Sequence, residues 1–142
     1  MSYLISLAML LMILVPRTQE LPDEFYQIPE QDRTKATLIV TGTYGQGRSP
    51  CMFMPDGSRR WARESSFRIK RVYRGQVGGK FIYINRGASP KTDAGAALEV
   101  GREYLVLLRP SEESMKAIKA GEYVPAWDAP SDEEIIAIVG LK

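Results

Sequence analysis

Seven residues in the middle of the chain have the types and spacing for electrostatic chemistry: Arg59, Arg60, Trp61, Arg63, Arg68, Lys70 and Arg74. Guanidinium and ammonium groups next to aromatic rings suit an anionic polymer or surface: the cations meet the charges and the rings stack on planar groups. These residues lie in a strongly basic stretch. From Arg48 to Lys91 there are eleven Lys/Arg and two acids, Asp56 and Glu64, a balance of +9, while the rest of the chain carries −7. Three readings of this pattern stay open. The acidic flanks pack beside the basic segment and leave an ordinary solvated face; or the face meets an anionic membrane surface, a polymer or another protein; or it binds single-stranded nucleic acid.

Other chemistry is missing from the sequence. The chain has 142 residues and no histidine, which removes His-dependent triads, His general bases and most zinc sites. Cys51 is the only cysteine, so no intramolecular disulfide or thiolate cage can form. The glycines of Gly42-Thr43-Tyr44-Gly45-Gln46-Gly47 precede neither a Lys-Ser/Thr pair nor a helix signal, so they do not make a phosphate loop. Asp56 and Asp93 sit in turns, where Asp is expected for backbone reasons, and Glu99 and Glu103 are isolated. The expectation is a domain that is not an enzyme, with no cofactor and no metal.

The basic residues need a scaffold, and the sequence supplies β-rich runs separated by glycine-bearing breaks. Ala36 to Tyr44 is rich in β-branched and aromatic residues and reads as a first long strand, with Gly42 marking a bulge or sharp bend. Cys51 to Met54 is a short strand, and Pro55-Asp56-Gly57-Ser58 is a turn. The next strand runs from about Arg60 to Arg74. Phe67 and Ile69 alternate with Arg68 and Lys70, then the phase slips at Arg71-Val72, which predicts a β-bulge. Phe81 to Ile84 is apolar at every position, as in a strand covered on both sides or at a barrel closure. Glu103 to Leu108 is the most hydrophobic strand and is expected at the centre.

After Pro110 the period changes. Ser111 as N-cap, acids in the first turn and Gly121 at the end predict a short helix. Ser131 and Glu134 form a capping box, which predicts a final helix from Asp132 to Val139, although Ile135 to Val139 alone reads equally as a strand.

The strands Ala36–Thr43, Phe67–Gly75 and Val100–Leu108 together resemble the tissue-inhibitor-of-metalloproteinase-like, netrin-module-like OB-fold superfamily, in its bacterial exported form, over about residues 36–110. The resemblance implies an all-β, five-stranded Greek-key OB-fold-like barrel with a helix packed at one end, export, and a binding role. Members often carry paired cysteines, and the animal inhibitors place an N-terminal cysteine on the protease zinc. Nothing here matches that residue, so protease inhibition does not carry over.

The ends of the chain complete the expected organisation. Leu4 to Val15 is almost uninterrupted apolar sequence and residues 1–16 carry no charged side chain. That run is short of the roughly 20 residues a spanning helix needs and fits the apolar core of a signal peptide. Residues 1–20 therefore read as a hydrophobic helix serving as signal peptide or N-terminal membrane anchor, residues 21–35 as a proline-bearing linker, and residues 36–142 as the barrel with one or two short C-terminal helices. Secretion, a periplasmic location or anchoring with the domain facing outward follows from that reading. The membrane is then touched only through the N-terminal segment, and nucleic acid is an unlikely partner.

Overall fold

The computed structural model describes residues 20–45, 51–53, 55–61, 65–86 and 90–142, and for residues 51–53, 60 and 61 the backbone alone. The expected N-terminal hydrophobic helix, Arg63 and the side chains of Cys51, Arg60 and Trp61 lie outside the described residues. The elements in chain order are α1 (Asp23–Gln27), α2 (Glu30–Lys35), β1 (Leu38–Gly45), β2 (Cys51–Phe53), β3 (Arg59–Trp61), β4 (Ser65–Arg74), β5 (Phe81–Ile84), β6 (Glu103–Leu108), α3 (Glu112–Ala120) and β7 (Ile135–Gly140).

Five strands form one antiparallel sheet in the order β5-β4-β1-β6-β7, curled into a half-barrel. The hairpin β2-β3 pairs separately, Cys51 with Trp61 and Phe53 with Arg59, across the expected Pro55–Ser58 turn. Asp56 Oδ1 accepts from the Ser58 hydroxyl at 2.6 Å and from the Ser58 N–H at 2.9 Å. The hydroxyl first, and then the N–H, hold the Asp56 carboxyl below its ordinary pKa. A lowered pKa means that the turn's link is intact above the ordinary Asp range and is lost only as pH falls through the lowered value. NMR titration should find Asp56 titrating below ordinary Asp residues, and Ser58→Gly should move it back up.

The alternation of each strand sorts its residues between two cores. On the inner face Leu38, Val40, Phe67, Ile82, Ile84, Tyr104, Val106, Leu108 and Ile138 meet Ile118 of α3 and Val124 and Ala129 beyond it. On the outer face Ile39, Leu105, Leu107 and Ala137 meet Phe25, Ile28 and Ala36. Residues 21–35 are thus not a solvated linker: they form two short helices that cover one end of the outer face, with Phe25 and Ile28 buried. Cover on both faces also explains why β6 is apolar at every interior position.

β4 carries two bulges against β1. The pairs Val40↔Val72, Thr41↔Arg71 and Gly42↔Ile69 leave Lys70 as an extra residue, and Ile39↔Arg74 leaves Tyr73 as another. The bulge at Lys70 lies one residue before the expected slip and has the expected effect: Phe67, Ile69 and Val72 all face the inner core. Gly42 faces this kink, and a Cβ there would lie 2.9 Å from the Arg68 carbonyl oxygen, so the kink needs a residue without a side chain.

α3 forms as its caps predict. The Ser111 hydroxyl accepts from Ser114 N–H, and Gly121 closes the helix at φ +74°. The second helix, Asp132 to Val139, does not form: Ile135–Gly140 is the edge strand β7, paired with β6. The Ser131–Glu134 contact is nevertheless made, with Glu134 Oε2 accepting from Ser131 N–H at 3.2 Å. It closes a turn, because Oε1 is held by Ser111 N–H and the β-branched run behind it gains more from the β6 ladder. Along the outer side of β7, Asp93 donates its N–H to Ile138 O at 3.0 Å and accepts from Ile138 N–H through Oδ1 at 3.1 Å.

Candidate anion-binding face

The end of the outer face that α1 and α2 leave uncovered carries the charges. The register puts Glu103 of β6, Thr43 of β1, Arg68 of β4 and Phe81 of β5 in one row across four strands. Directly paired residues point to the same side of a sheet. Phe67 and Ile82, one step along, are buried on the inner face, so this row faces outward. The next row brings Arg71 opposite Thr41, and Lys70, the bulge residue, lies between the rows.

Arg68, Lys70 and Arg71 are all exposed. The Lys70 ammonium is 3.5 Å from Glu103 Oε2, with both side chains near half exposure, so the pair contributes at most about 1 kcal/mol. Neither Arg68 nor Arg71 makes an ion pair with any described residue. The patch thus holds three cations against one carboxylate. Phe81 is 44% exposed beside Arg68 and stacks on Tyr83, ring centroids 6.5 Å apart at 27°. Two guanidinium groups next to a stacked aromatic pair can bind phosphate, sulfate or carboxylate oxygens while a ring takes an apolar or planar group.

The structure brings together part of the set expected from sequence. Arg68 and Lys70 are in the face. Arg74 is on the same side of the sheet but is committed elsewhere: its Nη1 donates to Arg33 O at 2.8 Å and Ala36 O at 2.9 Å, closing the C-terminal end of α2. Arg59 lies exposed on the separate hairpin, and Arg60 and Trp61 share its strand. Sequence reasoning missed Arg71, Phe81 and Tyr83. Unbroken alternation puts Arg71 on the inner face, and only the bulge at Lys70 turns it outward. β5 is an edge strand that is left uncovered at Phe81, which faces out beside Arg68, while Tyr83 packs at the border of the inner core against Tyr123.

Two further hollows lie near α1 and α2. One of about 520 Å³ runs between α1, Thr92–Ala96 and β7, and one of about 460 Å³ is lined by Phe25, Glu30, Arg33, Thr34 and Arg74. In the second, Arg33 sits over the Phe25 and Tyr26 rings, 5.5 and 5.9 Å from their centroids. Among the described residues no group of three or more His, Cys, Asp or Glu is placed to hold a metal ion, and no helix is long and apolar enough to cross a membrane. Comparison with family models, curated proteins and solved structures finds no match to this chain.

Proposed function

We propose that the chain is a non-enzymatic binding domain, exported by its leading apolar segment to the cell envelope or beyond, that docks on an anionic surface or polymer through Arg68, Lys70, Arg71 and Phe81. The observation that carries this reading is the outward row Thr43–Arg68–Phe81, with Arg71 in the next row and neither arginine in an ion pair with a described residue. The proposed architecture is an open OB-like barrel of the TIMP-like kind. Its support is the strand order: β6 returns beside β1 on the side away from β4, a Greek-key arrangement.

A second reading is favoured by the Arg68–Phe81 pair itself, since a cation beside an exposed, stacked ring also suits single-stranded nucleic acid. Fractionating a tagged protein separates the two, because a cytosolic protein leaves only the second. Purified protein should bind vesicles rich in anionic lipid, or a soluble polyanion, and should lose that binding as salt rises. Arg68→Ala/Arg71→Ala should weaken it about tenfold or more, at roughly 1 kcal/mol per surface cation removed. Arg74→Ala should lower stability and leave the salt dependence unchanged. Equal binding by wild type and the Arg68/Arg71 variant would refute both readings of this face.

A further inference from the structure

The aromatic surface continues past Phe81. Tyr83 turns the edge of β5 and meets Tyr123, centroids 4.9 Å apart at 77°. Tyr123 is 51% exposed and Trp127 44%. Both line a cleft of about 560 Å³ between α3 and the segment leading to β7. This cleft is on the inner side of the sheet, since Val124 and Ala129 at its floor belong to the inner core. The half-barrel therefore stands between it and Arg68 and Arg71.

The charge around these rings is of one sign. Glu113, Glu122, Asp128 and Glu133 line the cleft, no described Lys or Arg does, and none of the four carboxylates makes an ion pair with a described residue. Glu134, which also lines it, is committed to Ser111 and Ser131. The carboxylates are too dispersed to chelate, as no described group of three could hold a metal. Exposed Tyr and Trp rings among dispersed carboxylates match a ligand whose cations are also dispersed: each cation can sit over a ring or beside a carboxylate.

We propose that this cleft docks a cationic, Lys- or Arg-bearing segment of a partner polypeptide, with Tyr123 and Trp127 as the platform and the four carboxylates selecting positive charge. A volume of about 560 Å³ holds a few side chains, which suits a short segment rather than a whole domain face. This site is independent of the anion-binding face and takes ligands of opposite charge, so either can fail alone.

The test uses fluorescently labelled decalysine as probe and decaglutamate as control, read by anisotropy on the full chain. Decalysine should bind, and any decaglutamate binding should be unaffected by the cleft variants, because it belongs to the anion-binding face. Trp127→Ala should weaken decalysine binding about tenfold, as removal of a cation–π partner and its contact area would. Glu122→Gln/Glu133→Gln should do the same with an unchanged melting curve, because both carboxylates are exposed and make no described ion pair. Arg68→Ala/Arg71→Ala should not weaken it. Binding that survives both cleft variants would overturn the proposal, since it would be unspecific attraction to the acidic part of the chain. Salt-sensitive self-association in the ultracentrifuge, abolished by either the cleft variants or the Arg68/Arg71 variant, would also overturn it by assigning the cleft to a second copy.

Discussion

Gly78→Ala should be among the most destabilising single-methyl changes in this protein, lowering stability by about 2–4 kcal/mol and the melting temperature by roughly 10 °C. Gly78 donates its N–H to Ile118 O at 2.9 Å, so the β4–β5 connection lies directly on the last turn of α3. A Cβ at Gly78 would collide with the Lys119 carbonyl oxygen, and one at Gly121 would sit 2.9 Å from the Gly78 carbonyl carbon. Both obstacles are backbone, so no side-chain rotation relieves them. Gly121→Ala meets the same contact and adds the cost of holding a side chain at φ +74°. Gly57→Ala is the internal control: it has a similar φ, +81°, with nothing within 4 Å of the added carbon. It should cost about 1 kcal/mol, the backbone penalty alone. Urea denaturation of the three variants measures the difference. Equal losses for Gly57→Ala and Gly121→Ala would mean that crowding at the helix end contributes nothing.

Phe67→Ala should cost about 3–5 kcal/mol, a large share of the 5–15 kcal/mol that a domain of this size has available. Phe67 is fully buried and forms a triangle with Tyr44 and Tyr104, at centroid distances of 5.6 and 6.2 Å, closed by Tyr44–Tyr104 at 6.4 Å. Three large rings leave a cavity that smaller neighbours cannot refill. Tyr104 also has a polar duty: its hydroxyl oxygen accepts from Glu99 N–H at 2.8 Å. Tyr104→Phe keeps the ring and should cost about 1 kcal/mol. Chemical denaturation of both variants should rank Phe67→Ala well above Tyr104→Phe. The reverse order would show that the hydroxyl, not the ring packing, holds this end of the sheet.

The parts of the fold that were legible in the sequence are those where local signals and tertiary packing agree. Ser111 and Gly121 bound α3 at both ends because each satisfies backbone groups of the helix itself. The slip between Ile69 and Val72 is visible because both side chains have to reach the same core. Where the deciding partner is distant, the sequence misleads. The Ser131–Glu134 contact is local and real, yet the ladder with β6 decides the outcome. α1, α2 and the two residues between them bury only Phe25 and Ile28 out of thirteen, too few to show a period. Arg68 and Lys70 were legible as outward cations by alternation. Arg74 looks the same in the sequence, but the two carbonyls that engage it come from residues about 40 positions earlier. Arg71 was hidden by the same bulge that the sequence revealed one residue away.

Asp93 bears on more than the local geometry of β7. Ile135-Ile136-Ala137-Ile138-Val139 is uncharged, β-branched and lacks proline, the composition of segments that stack into cross-β fibres when an edge is open. With its N–H and its carboxylate both on Ile138, Asp93 acts as a one-residue counterfeit strand. It occupies ladder positions that an incoming chain would need, and the Arg86 guanidinium 4.0 Å from its Oδ1 adds a charged pair beside them. Removing that single side chain should therefore show as aggregation of the folded protein more than as lost stability, a change that a melting temperature does not report.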